Sequence, residues 1–264
     1  MLCYVFAALS ALGSILLVFG TQIHWLWLLP IGVGFYFGLN AFFFLALWFS
    51  TIFLPKQDPI DKPRNFYGII RFVCDWVSTF LRIKIDFRGM EKFPDEPFVL
   101  VSNHISNFDP VVVLAKVKGR KLAFISKPSN FKIPIAGPYT HNAGFLAIDR
   151  QNAMKAMRTI KHAGELVANE GLTMGIYPEG TRSKTGELLE FKEGAFLLAK
   201  RAKAPVVVIT TKGTDKVAKR MILRSTKVEL NVIEVIDKET VQNTRLSDLS
   251  AHVRESIANA LQQK

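Results

Sequence analysis

A histidine and an aspartate stand five positions apart in the run Asn103-His104-Ile105-Ser106-Asn107-Phe108-Asp109-Pro110, directly after the apolar residues 98–101. A strand that ends in a polar turn presents an imidazole at a sheet edge. There Asp109 can hold one ring nitrogen and leave the other free as a base. Such a pair is equipped to deprotonate a hydroxyl. It also serves as a plain structural hydrogen bond, and spacing alone leaves both readings open.

Further clusters carry similar potential. Tyr177-Pro178-Glu179-Gly180-Thr181-Arg182-Ser183 follows an apolar run and sets an acid, two hydroxyls and a guanidinium in one turn. A guanidinium binds phosphate oxygens in pairs, and hydroxyls and turn N–H groups add donors, so this loop is a candidate phosphate grip. A solvated loop with Glu179 paired to Arg182 is the alternative. Arg150, closing Gly144-Phe145-Leu146-Ala147-Ile148-Asp149-Arg150, is positioned to add a second cation or to pair with Asp149 at the surface. Lys127 follows another apolar run and is a candidate of the same kind. His141 reads as a helix-surface residue, and Lys184, Lys192, Lys200, Arg201 and Lys203 as a solvated basic face. The chain has no Gly-x-Ser-x-Gly elbow and no metal-ligand spacing, so neither an enzyme nucleophile nor a metal is expected.

These clusters need a scaffold. Strand-like runs at 83–87, 98–102, 121–125, 144–148, 173–177, 206–210 and 227–236 alternate with helical ones near 109–118, 133–142, 151–169 and 192–202, and a last helix spans about 246–262. The alternation predicts an α/β fold, a largely parallel sheet flanked by helices. Functional groups then gather at the carboxyl ends of the strands, which is where all four clusters fall. In the helix at 151–169, Met154, Met157, Ile160, Leu166 and Val167 are expected to face inward.

Ahead of this domain, residues 1–55 contain no Asp, Glu, Lys or Arg, so residues 56–264 carry the whole net charge of +12. Two spans, 2–20 and 25–53, have the length of membrane helices and predict a transmembrane or membrane-embedded helical hairpin. Pro30, Gly32, Gly34 and Gly38 predict an irregular start to the second. A cleaved signal peptide is the rival, but no basic segment precedes the apolar run. Lys56, Lys62, Arg64, Arg71, Arg82 and Lys84 follow the hairpin and predict a cytoplasmic catalytic domain on the inner (cytoplasmic) membrane. Residues 66–81 form an amphipathic helix suited either to the membrane interface or to a core. The organisation expected is a hairpin at 1–55, an interfacial helix at 56–82 and an α/β domain at 83–264. Membrane phospholipids suit the basic excess; no nucleic-acid module is recognisable. Cys3 and Cys74 read as two free thiols.

The three polar blocks, in order and spacing, resemble the motif blocks of the glycerolipid acyltransferases, and most of all the bacterial 1-acyl-sn-glycerol-3-phosphate acyltransferases. The resemblance covers about residues 65–215. It differs at a fourth block, where Pro205 leads into Val206-Val207-Val208-Ile209-Thr210 without a second proline, and Tyr177 stands where Phe is more usual.

The resemblance implies transfer of a fatty acyl chain from a thioester of acyl carrier protein or coenzyme A to the 2-hydroxyl of lysophosphatidic acid, in phospholipid biosynthesis and without a cofactor. It implies that His104 is the general base and Asp109 its partner. Glu179, Gly180, Thr181 and Arg182 would bind the acceptor's phosphate with help from Arg150. Asn103 belongs to the first block, and Ser183 closes the third. Another lysophospholipid or lipid as acceptor, or a non-catalytic membrane-anchored binding protein, are the alternatives.

Overall fold

With almost no polar side chain along its length, the N-terminal stretch satisfies its backbone internally as two helices. In the computed structural model, which describes residues 2–55, 60–183, 185–220 and 223–262, α1 (Leu2–Gly20) and α2 (Leu28–Ser50) pack on each other. Their 19 and 23 residues span about 28 and 35 Å, against about 30 Å for a hydrocarbon core. Both are long and apolar enough to cross a membrane. Small residues form the seam: Gly13 lies against the Phe35 ring and Gly32 against Ser14. The buried Ser10, Ser14 and Asn40 give their donors to the carbonyls of Phe6, Ala11 and Tyr36. Phe19, Leu29, Phe42 and Leu45 point outward and are exposed. Polar atoms inside and apolar side chains outside suit lipid, not water.

Pro30 does not break α2. It falls in the first turn, where a missing N–H removes no helix bond, and the irregular part is the short 3-10 turn Trp25–Trp27 before it. Lys56 and Lys184 lie outside the described residues.

The chain divides into two compact units, Met1–Pro55 and Lys56–Lys264. The second begins with α3 (Tyr67–Phe80) and continues β1 (Ile83–Arg88), β2 (Val99–Ser102), α4 (Asp109–Lys116), β3 (Leu122–Ser126), α5 (Ala136–Asn142), β4 (Leu146–Ala147), α6 (Ala153–Glu170) and β5 (Thr173–Ile176). After these come α7 (Gly194–Ala202), β6 (Val206–Lys212), α8 (Val217–Arg220), β7 (Thr226–Ile236), α9 (Lys238–Asn243) and α10 (Leu246–Gln262). The strands form one mostly parallel sheet in the order β1-β7-β6-β2-β5-β3-β4, flanked by helices.

β6, β2, β5, β3 and β4 all run the same way. Their carboxyl ends therefore share one edge, and every polar cluster sits on it. β7 returns antiparallel to β6, and β1 pairs parallel with β7. Among its described residues the β6–β7 connection holds a 3-10 turn and the short α8, with no long crossover helix to cover the sheet. The middle of the sheet is dry: Val99, Leu100 and Val101 are fully buried, as a strand covered on both faces requires. Gly175 on β5 makes room for a neighbour, because a Cβ there would run into the ring of Phe124 on β3.

α6 departs from the expected inward stripe. Ile160, Leu166 and Val167 are buried, whereas Met154 and Met157 are 73% and 48% exposed. The space beside Met157 is a cavity, so this methionine lines a void and does not close a core.

Candidate active site

The turn after β2 is organised around one carboxylate. Asp109, the first residue of α4 with Pro110 behind it, is fully buried. Its Oδ2 accepts hydrogen bonds from His104 Nδ1 and from the backbone N–H groups of Ile105 and Ser106, each at 2.8 Å, and its Oδ1 accepts from the hydroxyl of Thr214. The two amides can only donate, so Oδ2 is an acceptor and the imidazole hydrogen belongs on Nδ1. The lone pair is left on Nε2, which has no hydrogen-bond partner among the described residues. The His104 side chain is 15% exposed and lines a cavity.

The loop after β5 holds this turn from behind. Glu179 is buried, and its Oε1 accepts the backbone N–H of His104 at 2.6 Å while Oε2 accepts that of Leu189 at 3.0 Å. The backbone N–H of Ser183 donates to the His104 carbonyl at 2.8 Å. Asn103, also buried, is tied to β6: its amide donates to the Thr211 carbonyl at 3.0 Å and its Oδ1 accepts the Thr211 N–H at 2.8 Å. Tyr177 stacks on the His104 ring with centroids 4.2 Å apart and planes 17° apart, and Phe124 stacks on Tyr177 in turn. The Tyr177 hydroxyl is buried and unpartnered among the described residues; burial, with Asp109 nearby, raises its pKa well above the usual 10.0.

In front of His104 lies a cavity of about 660 Å³. Arg150, Thr181, Arg182 and Lys127 line it, joined by Lys192, which the sequence had marked only as surface. Gly180 closes a turn on the Tyr177 carbonyl at φ +67°, leaving the Lys192 side chain to lie across it. Elsewhere the walls are mostly apolar: Ile69 and Val73 from α3, Val111 and Leu114 from α4, Phe131 and Ile135 from the segment before α5, and Met157 and Ile160 from α6. Cys74 also lines the cavity, but burial pushes its thiol up to about 12, far from a reactive thiolate.

The candidates thus separate by position. His104, Arg150, Gly180, Thr181, Arg182 and Lys127 face the cavity. Asp109, Glu179, Asn103 and Ser183 stand behind and hold the first group in place. Glu179 and Arg182 do not pair; each Glu179 oxygen accepts a backbone N–H instead. Asp149 turns away from Arg150 toward the Gln151 N–H and Lys155. Thr214 and Lys192 were missed because each reaches the site through a connection that no local pattern reveals.

A mostly parallel α/β sheet with a histidine–aspartate pair and a cationic rim at its carboxyl edge places these groups where open α/β folds bind their ligands. Residues 84–212 match the family model described as Acyltransferase, and the domain they form belongs to that family. The chain is 35% identical over 183 residues to the chloroplastic 1-acyl-sn-glycerol-3-phosphate acyltransferase LPAT1 of Arabidopsis thaliana, covering 68% of this chain and 50% of that protein. With 1-acyl-sn-glycerol-3-phosphate acyltransferase alpha of Bos taurus it shares 25% identity over 235 residues, 88% of this chain and 82% of the other. The crystal structure of the 1-acyl-sn-glycerophosphate (LPA) acyltransferase PlsC from Thermotoga maritima superposes with a TM-score of 0.63 at 25% identity, covering 84% of this chain and 88% of that one. The chain spans about half the length of the plant relatives it matches.

Proposed function

We propose that this protein is a 1-acyl-sn-glycerol-3-phosphate O-acyltransferase. It moves a fatty acyl chain from a thioester of acyl carrier protein or coenzyme A to the 2-hydroxyl of lysophosphatidic acid, giving phosphatidic acid for phospholipid biosynthesis. The observation that carries this reading is the open Nε2 of His104, freed by the Asp109 bond and facing a cavity with cations on one side and apolar walls on the other. An acceptor with a phosphate, a free hydroxyl and a hydrocarbon tail matches those three features in one molecule.

The chemistry needs little more. Nε2 takes the proton of the 2-hydroxyl as its oxygen bonds to the thioester carbonyl carbon; the carbon–sulfur bond then breaks, and the imidazolium returns the proton to the departing thiolate. Asp109 keeps the ring in the right tautomer and faces the positive charge that forms on it. Arg182, Lys192, Arg150 and Lys127 hold the phosphate, with Thr181 adding a hydroxyl. General-base catalysis supplies about 10²- to 10⁴-fold, and fixing two lipids in one cavity supplies much of the rest.

In this reading residues 1–55 anchor the protein in the inner (cytoplasmic) membrane, residues 56–82 carry an interfacial helix, and residues 83–264 work on the cytoplasmic side. The basic flank Lys62, Arg64, Arg71, Arg82 and Lys84 supports that orientation. Purified protein given acyl-coenzyme A or acyl carrier protein thioesters and a panel of lysophospholipids should make phosphatidic acid from lysophosphatidic acid. Turnover only of acceptors without a phosphomonoester would contradict the acceptor, and no turnover of any thioester would contradict the activity.

A further inference from the structure

Thr214 stands two residues past β6 and beyond the stretch matched to the acyltransferase family. It is fully buried, and its hydroxyl donates to Oδ1 of Asp109. The four hydrogen bonds of that carboxylate are unevenly shared: three fall on Oδ2, while Oδ1 has Thr214 as its single partner among the described residues. An acidic side chain can pivot about its terminal torsion, a soft two-fold rotor. Fixing Oδ1 stops that pivot and keeps Oδ2 on Nδ1 of His104.

The backbone is built to deliver this hydroxyl. Gly213 sits at φ +90°, and a Cβ there would run into the carbonyl of Lys227 on β7, so only glycine makes the turn without strain. Just before it, the double hydrogen bond between Asn103 and Thr211 registers the end of β6 against the residue preceding His104. The fourth block, weak as a proline motif, thus ends in a turn that reaches the dyad.

We infer that Thr214 is a positioning residue for the base, extending the pair to a His104–Asp109–Thr214 chain. The hydroxyl fixes the plane of the Asp109 carboxylate, and through it the tautomer and direction of the imidazole. The kinetic consequence rests on the acyl-transfer reading; the geometry does not.

Three substitutions test it. Thr214→Ser keeps the donor, Thr214→Cys is nearly the size of serine but a weak donor, and Thr214→Val keeps the shape with no donor. Loss of a charge-assisted hydrogen bond is expected to lower kcat about 10-fold or more in the cysteine and valine variants, with the acceptor KM within about 2-fold, and serine should stay within about 3-fold of wild type. Equal rates for serine and cysteine, or an effect confined to KM, overturns the inference. Should valine fail to fold, the serine and cysteine pair decides. If the wild type consumes no thioester, the acyl-transfer reading fails. Thr214 is then judged by the rate at which diethyl pyrocarbonate modifies the His104 peptide: several-fold slower in the cysteine than in the serine variant supports the chain, and equal rates refute it.

Discussion

The carboxylate of Glu179 accepts the backbone N–H of His104 at 2.6 Å, so an acid from the loop after β5 fixes His104 from behind and does not reach into the cavity. With the Ser183 N–H on the His104 carbonyl, this clamps the third block to the first through the backbone. An amide offers only one acceptor, so Glu179→Gln must turn an N–H donor against one of the two amides. We expect kcat to fall about 10-fold or more with a small change in acceptor KM. A rise in KM alone, measured by steady-state kinetics, would instead make Glu179 a phosphate ligand.

Glu179 also sets a pH dependence. Burial raises its carboxyl above the ordinary 4.5, with the amides of His104 and Leu189 opposing the shift. A raised value in the folded state favours the protonated form. The stability this contributes is therefore complete below the ordinary value and lost as pH rises through the folded one. Thermal melts from pH 4 to 7 should show that decline in the wild type, and Glu179→Gln should lack it.

Arg182 and Lys192, both in the connection between β5 and α7, line the cavity. Each charge-assisted hydrogen bond to phosphate is worth about 1.5–3 kcal/mol, so alanine at either position should raise the KM for lysophosphatidic acid about 10- to 100-fold and leave the KM for the thioester nearly unchanged. Competition by glycerol 3-phosphate, weakened in the same variants, checks the assignment independently.

Tyr177 offers His104 a flat face and has a buried hydroxyl without a partner. Thr173 to Ile176 beneath it includes Gly175, whose missing side chain lets Phe124 support the stack. Tyr177→Phe keeps the face and removes an unsatisfied polar group, so activity should hold and the melting temperature should not drop. Tyr177→Leu should cut kcat, and Gly175→Ala should cost about 1–3 kcal/mol of stability by overpacking the Phe124 ring. Calorimetry and rate measurements on the three variants separate these outcomes.

The helical hairpin, the succession of strands and helices along the chain and the position of His104, Arg150 and Arg182 after strands were legible because apolar runs and the polar residues that end them are local features. Tertiary relationships were not. Asn103 bonds a strand more than a hundred residues away in sequence, and Thr214 reaches Asp109 only because β6 lies beside β2. Met154 and Met157 share the spacing of a core stripe with Ile160, yet Met154 is exposed and Met157 is half exposed at the edge of the cavity. The reversal of β7 was hidden for a similar reason: an apolar strand looks the same in either direction.

Thioester consumption by purified His104→Ala, with lysophosphatidic acid present, tests whether Nε2 of His104 takes the acceptor's proton. The expected kcat is lower by about 10²-fold or more in a protein that melts as the wild type does and binds lysophosphatidic acid with unchanged affinity. A folded variant that makes phosphatidic acid at near-normal rate would contradict it.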